Sequence, residues 1–113
     1  MLHGDLMEKF VEKSYLYDYY GELLTKRQQQ IYEEVVFEDY TLSEAASEEN
    51  VSRQGIHDMI KRCDKALEEY ENKLHLVERF LKIKASAERI KKMAEALGAD
   101  EICKEADEII EDL

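Results

Sequence analysis

Apolar positions recur every three or four residues along most of the chain. Near the start, Leu6, Phe10, Ser14, Tyr17 and Gly21 have the spacing of one helix face. Similar patterns predict further helices over residues 26–37, 42–49, 52–81, 83–97 and 100–113. The chain has no proline and only four glycines, so it lacks the breakers that all-β folds use at their turns. We therefore predict an all-α fold.

Three of the predicted helices begin with a capping box. In this motif the N-cap side chain and a glutamate or glutamine three residues later bond each other's backbone N–H groups. The pairs are Asp5 with Glu8, Thr25 with Gln28, and Thr41 with Glu44. Asp100 is expected to cap the last helix. We expect Gly21 to end the first helix in the left-handed conformation, which glycine adopts at little cost, and Gly98 to end a later one.

A helix-turn-helix pattern follows the third of these starts. A short helix is expected to end near Glu49, and Asn50 tolerates the positive φ of a tight turn. Ser52 then caps the second helix with its hydroxyl group. The sequence therefore predicts two helices joined by a tight turn, the motif that places a recognition helix in a DNA groove.

The packing residues of this pattern are also present, with two departures. Ala46 supplies the small residue where the two helices cross, and Ile56 and Met59 face back onto the first helix. Glu49, however, stands where such motifs normally bury an apolar side chain. Ala45 is smaller than usual at its position.

The second helix of the motif continues into a heptad seam. Its members alternate at spacings of four and three residues: Ile56, Ile60, Cys63, Leu67, Tyr70, Leu74, Val77 and Leu81. We predict one long helix with a coiled-coil-like seam, paired either within the chain or between chains. Residues 82–84 break the seam, which divides the chain into a helix-turn-helix domain, residues 1–81, and a C-terminal helical arm, residues 82–113. A homodimer joined through residues 67–81 or through the tyrosine-rich first helix is expected.

The charge is acidic overall but uneven. The net charge is −11, whereas duplex-binding domains are usually basic because they neutralise phosphates. Residues 51–66 nevertheless carry four basic and two acidic residues, and residues 79–92 carry six basic residues and one acidic residue. The second basic segment is open to two interpretations, contact with an anionic partner such as RNA or pairing with acidic residues of the same chain.

The start of the predicted recognition helix holds the candidate nucleic-acid contacts. Arg53, His57 and Lys61 share one face, and Gln54 lies beside them. Arginine and glutamine have the bidentate donor geometry that reads guanine and adenine. Base edges are assigned to Arg53, Gln54 and His57, and phosphates to Ser52, Lys61, Arg62 and Lys65. Asp58, beside this face, would repel phosphate.

No catalytic, cofactor or metal motif accompanies these residues. The sequence has no nucleophile elbow, P-loop or dinucleotide fingerprint, and Cys63 and Cys103 have no neighbours at metal-ligand spacing. We predict a protein that is not an enzyme and needs no cofactor. No apolar run approaches membrane-spanning length. Together with two unpaired cysteines, this indicates a cytoplasmic protein.

The sequence resembles the YlxM family of small bacterial helix-turn-helix proteins and, more loosely, the fourth region of bacterial sigma factors. The resemblance spans residues 7–97 and rests on the opening Leu24 and Thr25, the corner at residues 39–44, the turn at residues 50–54 and the continuation at residues 60–62. Gly55 departs from it, since a small helix former is expected there. The resemblance implies a regulatory DNA-binding protein. It also implies a link to the signal recognition particle pathway, through genes adjacent to those of Ffh and FtsY. The alternative is an interaction module that contacts the particle's protein or RNA.

Overall fold

Six α-helices make up most of the computed structural model, which describes residues 6–113, with side chains from Met7 onward. They are α1 (Leu6–Tyr20), α2 (Lys26–Tyr32), α3 (Leu42–Glu49), α4 (Arg53–Leu74), α5 (Leu76–Leu97) and α6 (Asp100–Glu111). A 3₁₀ turn, Gly21–Leu23, follows α1, and a π-helical turn, Glu33–Phe37, extends α2. The described residues contain no strand, and the all-α prediction is confirmed.

The predicted capping boxes form at α2 and α3. The Thr25 hydroxyl accepts from the Gln28 N–H at 3.1 Å, and the Gln28 side chain accepts from the Thr25 N–H at 2.9 Å. Thr41 and Glu44 make the same reciprocal pair at 3.0 and 2.9 Å. The box predicted at Asp5 lies outside the described residues. At α6 the N-cap is Ala99 rather than Asp100, and Asp100 is the first helical residue.

Gly21 does not have the left-handed conformation that the sequence predicted. Its backbone begins the 3₁₀ turn, and among the described glycines Gly98 is the one with positive φ, at 67°. A Cβ atom at position 21 would lie 2.9 Å from the ring of Tyr17. Gly21 is therefore needed for the close approach of an aromatic ring, whereas Gly98 ends α5 in the left-handed conformation, as predicted.

The long helix predicted over residues 52–81 is interrupted at His75. Helix α4 ends at Leu74, His75 adopts φ 56°, and α5 begins at Leu76. The break expected at residues 82–84 is absent, because α5 runs through them. The sequence near residue 75 has neither glycine nor proline, so the prediction relied on periodicity and placed the end of the helix too far along the chain. Histidine is one of the non-glycine residues that enter the left-handed region most readily, with asparagine and aspartate.

The chain groups into two compact units, one ending at Leu74 and the other comprising His75–Leu113. This grouping divides the chain at the helix break, whereas the sequence placed a domain boundary after Leu81. The division into a helix-turn-helix domain and a C-terminal arm stays a prediction.

The core of the first unit lies where α4 crosses the preceding helices. It is formed by Ile31, Ala45, Ala46 and Ile56, with Val35, Leu42, Met59 and Ile60 packed against it. Further along α4, Cys63 and Leu67 are also fully buried. The first half of the predicted seam is therefore satisfied inside its own chain.

Tyrosines of α1 and α2 close the other side of this unit. Tyr17 stacks on Tyr32 with ring centroids 5.3 Å apart, and the Tyr32 hydroxyl donates to Asp64 at 2.6 Å. The Tyr20 hydroxyl donates to Glu71 at 2.6 Å. Burial is the main cause of a raised pKa of Tyr32, and the hydrogen bond to Asp64 raises this pKa further. The Tyr17 hydroxyl donates to Glu33 at 2.5 Å, so these three tyrosines are packing residues with satisfied hydroxyl groups.

The second unit is the antiparallel hairpin of α5 and α6. Three alanines face the seam between the helices and are almost fully buried, Ala87, Ala94 and Ala106. Lys91 bridges Asp107 at 2.8 Å along one side of the seam. Small residues allow the two helix backbones to approach closely, but they bury little apolar area.

Replacing Asn50 tests the left-handed turn. Asn50 has φ 58° and ψ 43°, so Asn50→Ala should lower the free energy of unfolding by about 1 kcal/mol, and Asn50→Gly should not lower it. Urea denaturation followed by circular dichroism measures this. Asn72→Ala, within regular helix α4, is the matched control and should not destabilise. Equal effects of alanine at positions 50 and 72 would contradict the assignment.

The two cysteines should differ in reactivity. Cys63 is fully buried, and burial raises its pKa to about 11, so at pH 8 the folded protein holds it as an inaccessible thiol. Cys103 is only half-buried. A chromogenic disulfide reagent at pH 8 should label Cys103 in the folded protein and Cys63 only after denaturant is added. With Cys103→Ser, any rapid labelling without denaturant would show that Cys63 is not buried.

Candidate nucleic-acid interface

The turn between α3 and α4 sets the direction of the candidate helix. Asn50 ends α3 in the left-handed conformation, and the Val51 N–H donates to the Ala46 carbonyl at 3.0 Å. Ala46 is almost fully buried where the helices cross, and Ile56 anchors α4 in the core. Since Ile56 points inward, the opposite face of the first turns of α4 is exposed to solvent.

Both departures from the helix-turn-helix pattern have a structural explanation. The side chain of Glu49 is only 16% exposed, and Arg27 of α2 donates to it at 3.1 Å. An ion pair thus takes the place of the usual apolar contact. Ala45 is fully buried against the core formed with Ile31, where a larger side chain would need space that the neighbouring residues occupy.

Ser52 caps α4, and Gly55 makes room for the cap. The Ser52 hydroxyl accepts from the Gly55 N–H at 3.0 Å, as the sequence predicted. A Cβ atom at position 55 would lie 3.2 Å from that hydroxyl oxygen, which is tighter than an ordinary contact. Glycine at this position therefore relieves crowding at the helix start.

The three residues assigned to base edges lie together. Arg53, Gln54 and His57 are all exposed and line one open groove of about 450 Å³ with Leu42 of α3. The structure therefore brings the predicted base-reading residues to one surface.

The residues assigned to phosphates are more widely spaced. Lys61 is exposed two turns beyond Arg53 on the same side of α4. Arg62 lies about half a turn around the helix from Arg53, on the other edge of the exposed face, and Lys65 lies about 18 Å further along the axis than Arg53. All are exposed. These three residues lie further along α4 than the base-reading group and do not join its groove.

Two lysines of α1 extend this surface, and sequence reasoning missed them. Lys9 and Lys13 line a second groove, of about 520 Å³, together with His57 and Lys61. We call it the α1–α4 groove. Lys13 is held by Asp64 of α4 at 3.2 Å. The spacing of the two lysines is visible in the sequence, but only the packing of α1 on α4 places them beside the candidate helix.

Asp58 lies among these donors and weakens their charge. Its carboxylate accepts from the Gln54 side-chain amide at 2.9 Å and lies 3.9 Å from Nδ1 of His57. A base edge would have to compete with Asp58 for Gln54, and a phosphate nearby would be repelled. The arrangement fits weak contact with an anion better than strong contact.

Neither a metal-ligand cluster nor a membrane-spanning helix is found in the described part of the chain. Within residues 6–113, no three His, Cys, Asp or Glu side chains are grouped so that they could hold a metal ion. None of the described helices is both long enough and apolar enough to cross a membrane.

Known proteins resemble this chain over most of its length. The family described as "Putative helix-turn-helix protein, YlxM / p13 like" matches residues 7–109. A UPF0122 protein of Bacillus pumilus is 40% identical over 107 residues, which cover 95% of this chain and 94% of the relative. One from Thermoanaerobacter sp. (strain X514) is 39% identical over 106 residues, 94% of this chain and 91% of the relative. The chain therefore belongs to the UPF0122 family of YlxM/p13-like helix-turn-helix proteins.

Proposed function

We propose that the protein is a regulator that binds nucleic acid through the first turns of α4. The observation that supports this most directly is the exposed group of Arg53, Gln54 and His57 at the start of the second helix of a helix-turn-helix. In such motifs these turns enter the major groove. The three side chains would contact base edges, and Ser52, Lys61, Arg62 and Lys65 would contact the flanking phosphates.

Binding to DNA is expected to be weak and sensitive to salt. The net charge of −11 repels a polyanion at long range, and Asp58 opposes it at the contact. Each phosphate contact releases counterions, so affinity falls as salt concentration rises. Lys9 of the α1–α4 groove partly offsets the repulsion, because it places another cation beside Lys61, whereas Lys13 is paired with Asp64.

Substitutions at Arg53 and Asp58 test this proposal. Arg53→Ala should cost about 1–3 kcal/mol of binding to a duplex that the protein prefers. Asp58→Asn should strengthen binding, since it removes the repulsion and weakens the competition for Gln54. Fluorescence anisotropy with a labelled duplex, measured over a range of salt concentrations, follows both effects.

Matched controls separate the contact from net charge. Lys73→Ala, in the last turn of α4, removes one positive charge far from the helix start, and Asp18→Asn, on α1, removes one exposed negative charge. If Arg53→Ala weakens binding no more than Lys73→Ala, the assigned interface is wrong. The same holds if Asp58→Asn and Asp18→Asn have equal effects.

A second candidate function is docking of a partner protein in the α1–α4 groove. The apolar lining of this groove comes from Phe10, Val35, Val36, Leu42 and Ile60. Three lysines, Lys9, Lys13 and Lys61, and one carboxylate, Asp64, lie around it. The balance is cationic, so the groove suits an apolar helix with acidic flanks. The resemblance to the YlxM family suggests that such a partner belongs to the signal recognition particle pathway, either as the particle's protein or as its protein–RNA complex.

Phe10→Glu distinguishes docking from nucleic-acid binding. Phe10 is 44% exposed, so a glutamate there replaces an apolar part of the groove with a negative charge at modest cost to the stability of the fold. Under the docking candidate, this variant should lose retention of a purified signal recognition particle protein–RNA complex in a pull-down, and Arg53→Ala should keep it. The reverse pattern, with Arg53→Ala alone losing the complex, would exclude groove docking. Leu23→Glu, at an exposed apolar position away from the groove, is the control.

We also propose that the protein acts in the cytoplasm. Cys63 and Cys103 are both free thiols, and free thiols persist in a reducing compartment. A regulator of this kind would meet DNA or the signal recognition particle there.

A further inference from the structure

The hairpin of α5 and α6 exposes an unusual number of large apolar side chains. On α5 these are Ile83, Ile90, Met93 and Leu97, and on or just after α6 they are Ile102, Ile109 and Leu113, all between 39% and 82% exposed. We call this set the apolar flank. Contiguous exposed apolar surface of this kind marks an interaction site in a folded protein.

Helix geometry places the whole set on one side of the hairpin. Helix α5 turns by about 100° per residue, so Ile83, Ile90 and Leu97, seven residues apart, share one side of the buried Ala87 and Ala94. The salt bridge between Lys91 and Asp107 lies on the other side.

The same reasoning applies to α6. Ile102 and Ile109 are seven residues apart and lie to one side of the buried Ala106, while Asp107 lies to the other. The apolar residues of both helices therefore lie on the same side of the contact between α5 and α6 and form one face. The sides that carry Lys91 and Asp107 form the opposite, polar face.

The two borders of this face have opposite charges. The border along α5 carries Arg79, Lys82 and Arg89, and the border along α6 carries Glu101, Glu105, Glu108 and Asp112. All seven are exposed. Lys82 also pairs with Glu78 on its own helix at 3.4 Å. One face thus has a cationic border, an apolar centre and an anionic border.

Such a face is complementary to a second copy of itself. A two-fold axis parallel to the hairpin and lying in the interface sets the cationic border of one copy against the anionic border of the other. A two-fold axis perpendicular to the helices would instead oppose like charges. In the favoured arrangement each α5 lies antiparallel to α6 of the second copy, as in an antiparallel four-helix bundle.

We infer that two copies of this chain associate through the apolar flank of the α5–α6 hairpin to form a four-helix bundle. The sequence predicted a homodimer interface on residues 67–81 or on the first helix, and this inference places the interface on the hairpin instead. Cys63 and Leu67 of the heptad seam are already buried within the first unit, and so are Tyr20 and Tyr32. The apolar flank also supplies the core that the three buried alanines of the hairpin lack. The inference does not depend on nucleic-acid binding by α4.

Analytical ultracentrifugation of the full chain tests the inference. The wild type should sediment as a dimer at micromolar concentration. Ile90→Glu should raise the dissociation constant at least about a hundredfold, because it buries an unpaired charge at the centre of the face. Leu23→Glu, the control outside the hairpin, should remain dimeric. Circular dichroism confirms that each variant folds.

A charge exchange tests the arrangement without altering the apolar centre. Arg89 of one copy lies at the level of Glu108 of the other in the favoured bundle. Arg89→Glu should weaken the dimer about tenfold, and adding Glu108→Arg should restore it. A monomeric wild type, or equal behaviour of Ile90→Glu and Leu23→Glu, would overturn the inference. Failure of the exchange to restore the dimer would overturn the two-fold arrangement on which the inference rests.

Discussion

The buried face of α4 is the contact on which the first unit depends. Ile56, Cys63 and Leu67 are fully buried along three turns of this helix, and each large aliphatic side chain contributes about 1.5–3 kcal/mol when it leaves water. The contact also orients α4 about its own axis. With Ile56 inward, Arg53, Gln54 and His57 face outward, so packing and the candidate interface are two sides of the same helix.

Some of the carboxylates serve the fold rather than the surface. Asp64 accepts the Tyr32 hydroxyl and pairs with Lys13, and Glu49 pairs with Arg27. These carboxylates are engaged by partners in the same unit. The charges of Lys13 and Arg27 in these pairs are already counted in the net charge of −11, so the pairs fix carboxylates in place without lowering the long-range repulsion of an anion. Close to the candidate interface, Asp58 is the carboxylate that contacts the donors themselves.

The two halves of the heptad seam have different environments. Up to Leu67 it packs within the first unit. Beyond Leu67, Val77 is buried, whereas Leu74 and Leu81 are 49% and 42% exposed. Heptad spacing thus predicted one continuous apolar face, although the helix that carries it ends at Leu74, and it did not reveal which surface covers each position. The surface best suited to a second copy lies instead on the hairpin, where the exposed isoleucines of α5 and α6 lie between borders of opposite charge.

Local chemistry was sufficient to predict the all-α class, the capping boxes at Thr25 and Thr41, the left-handed Asn50 and the inward direction of Ile56. Each of these depends on neighbours within a few residues, which the sequence displays directly. The break at His75, the ring contact at Gly21 and the position of Lys9 and Lys13 beside α4 depend on long-range packing. A left-handed backbone at a non-glycine residue costs about 1–2 kcal/mol of conformational free energy. No glycine or proline near His75 signals that the chain adopts this conformation there. Only the tertiary structure therefore placed the end of α4 at Leu74.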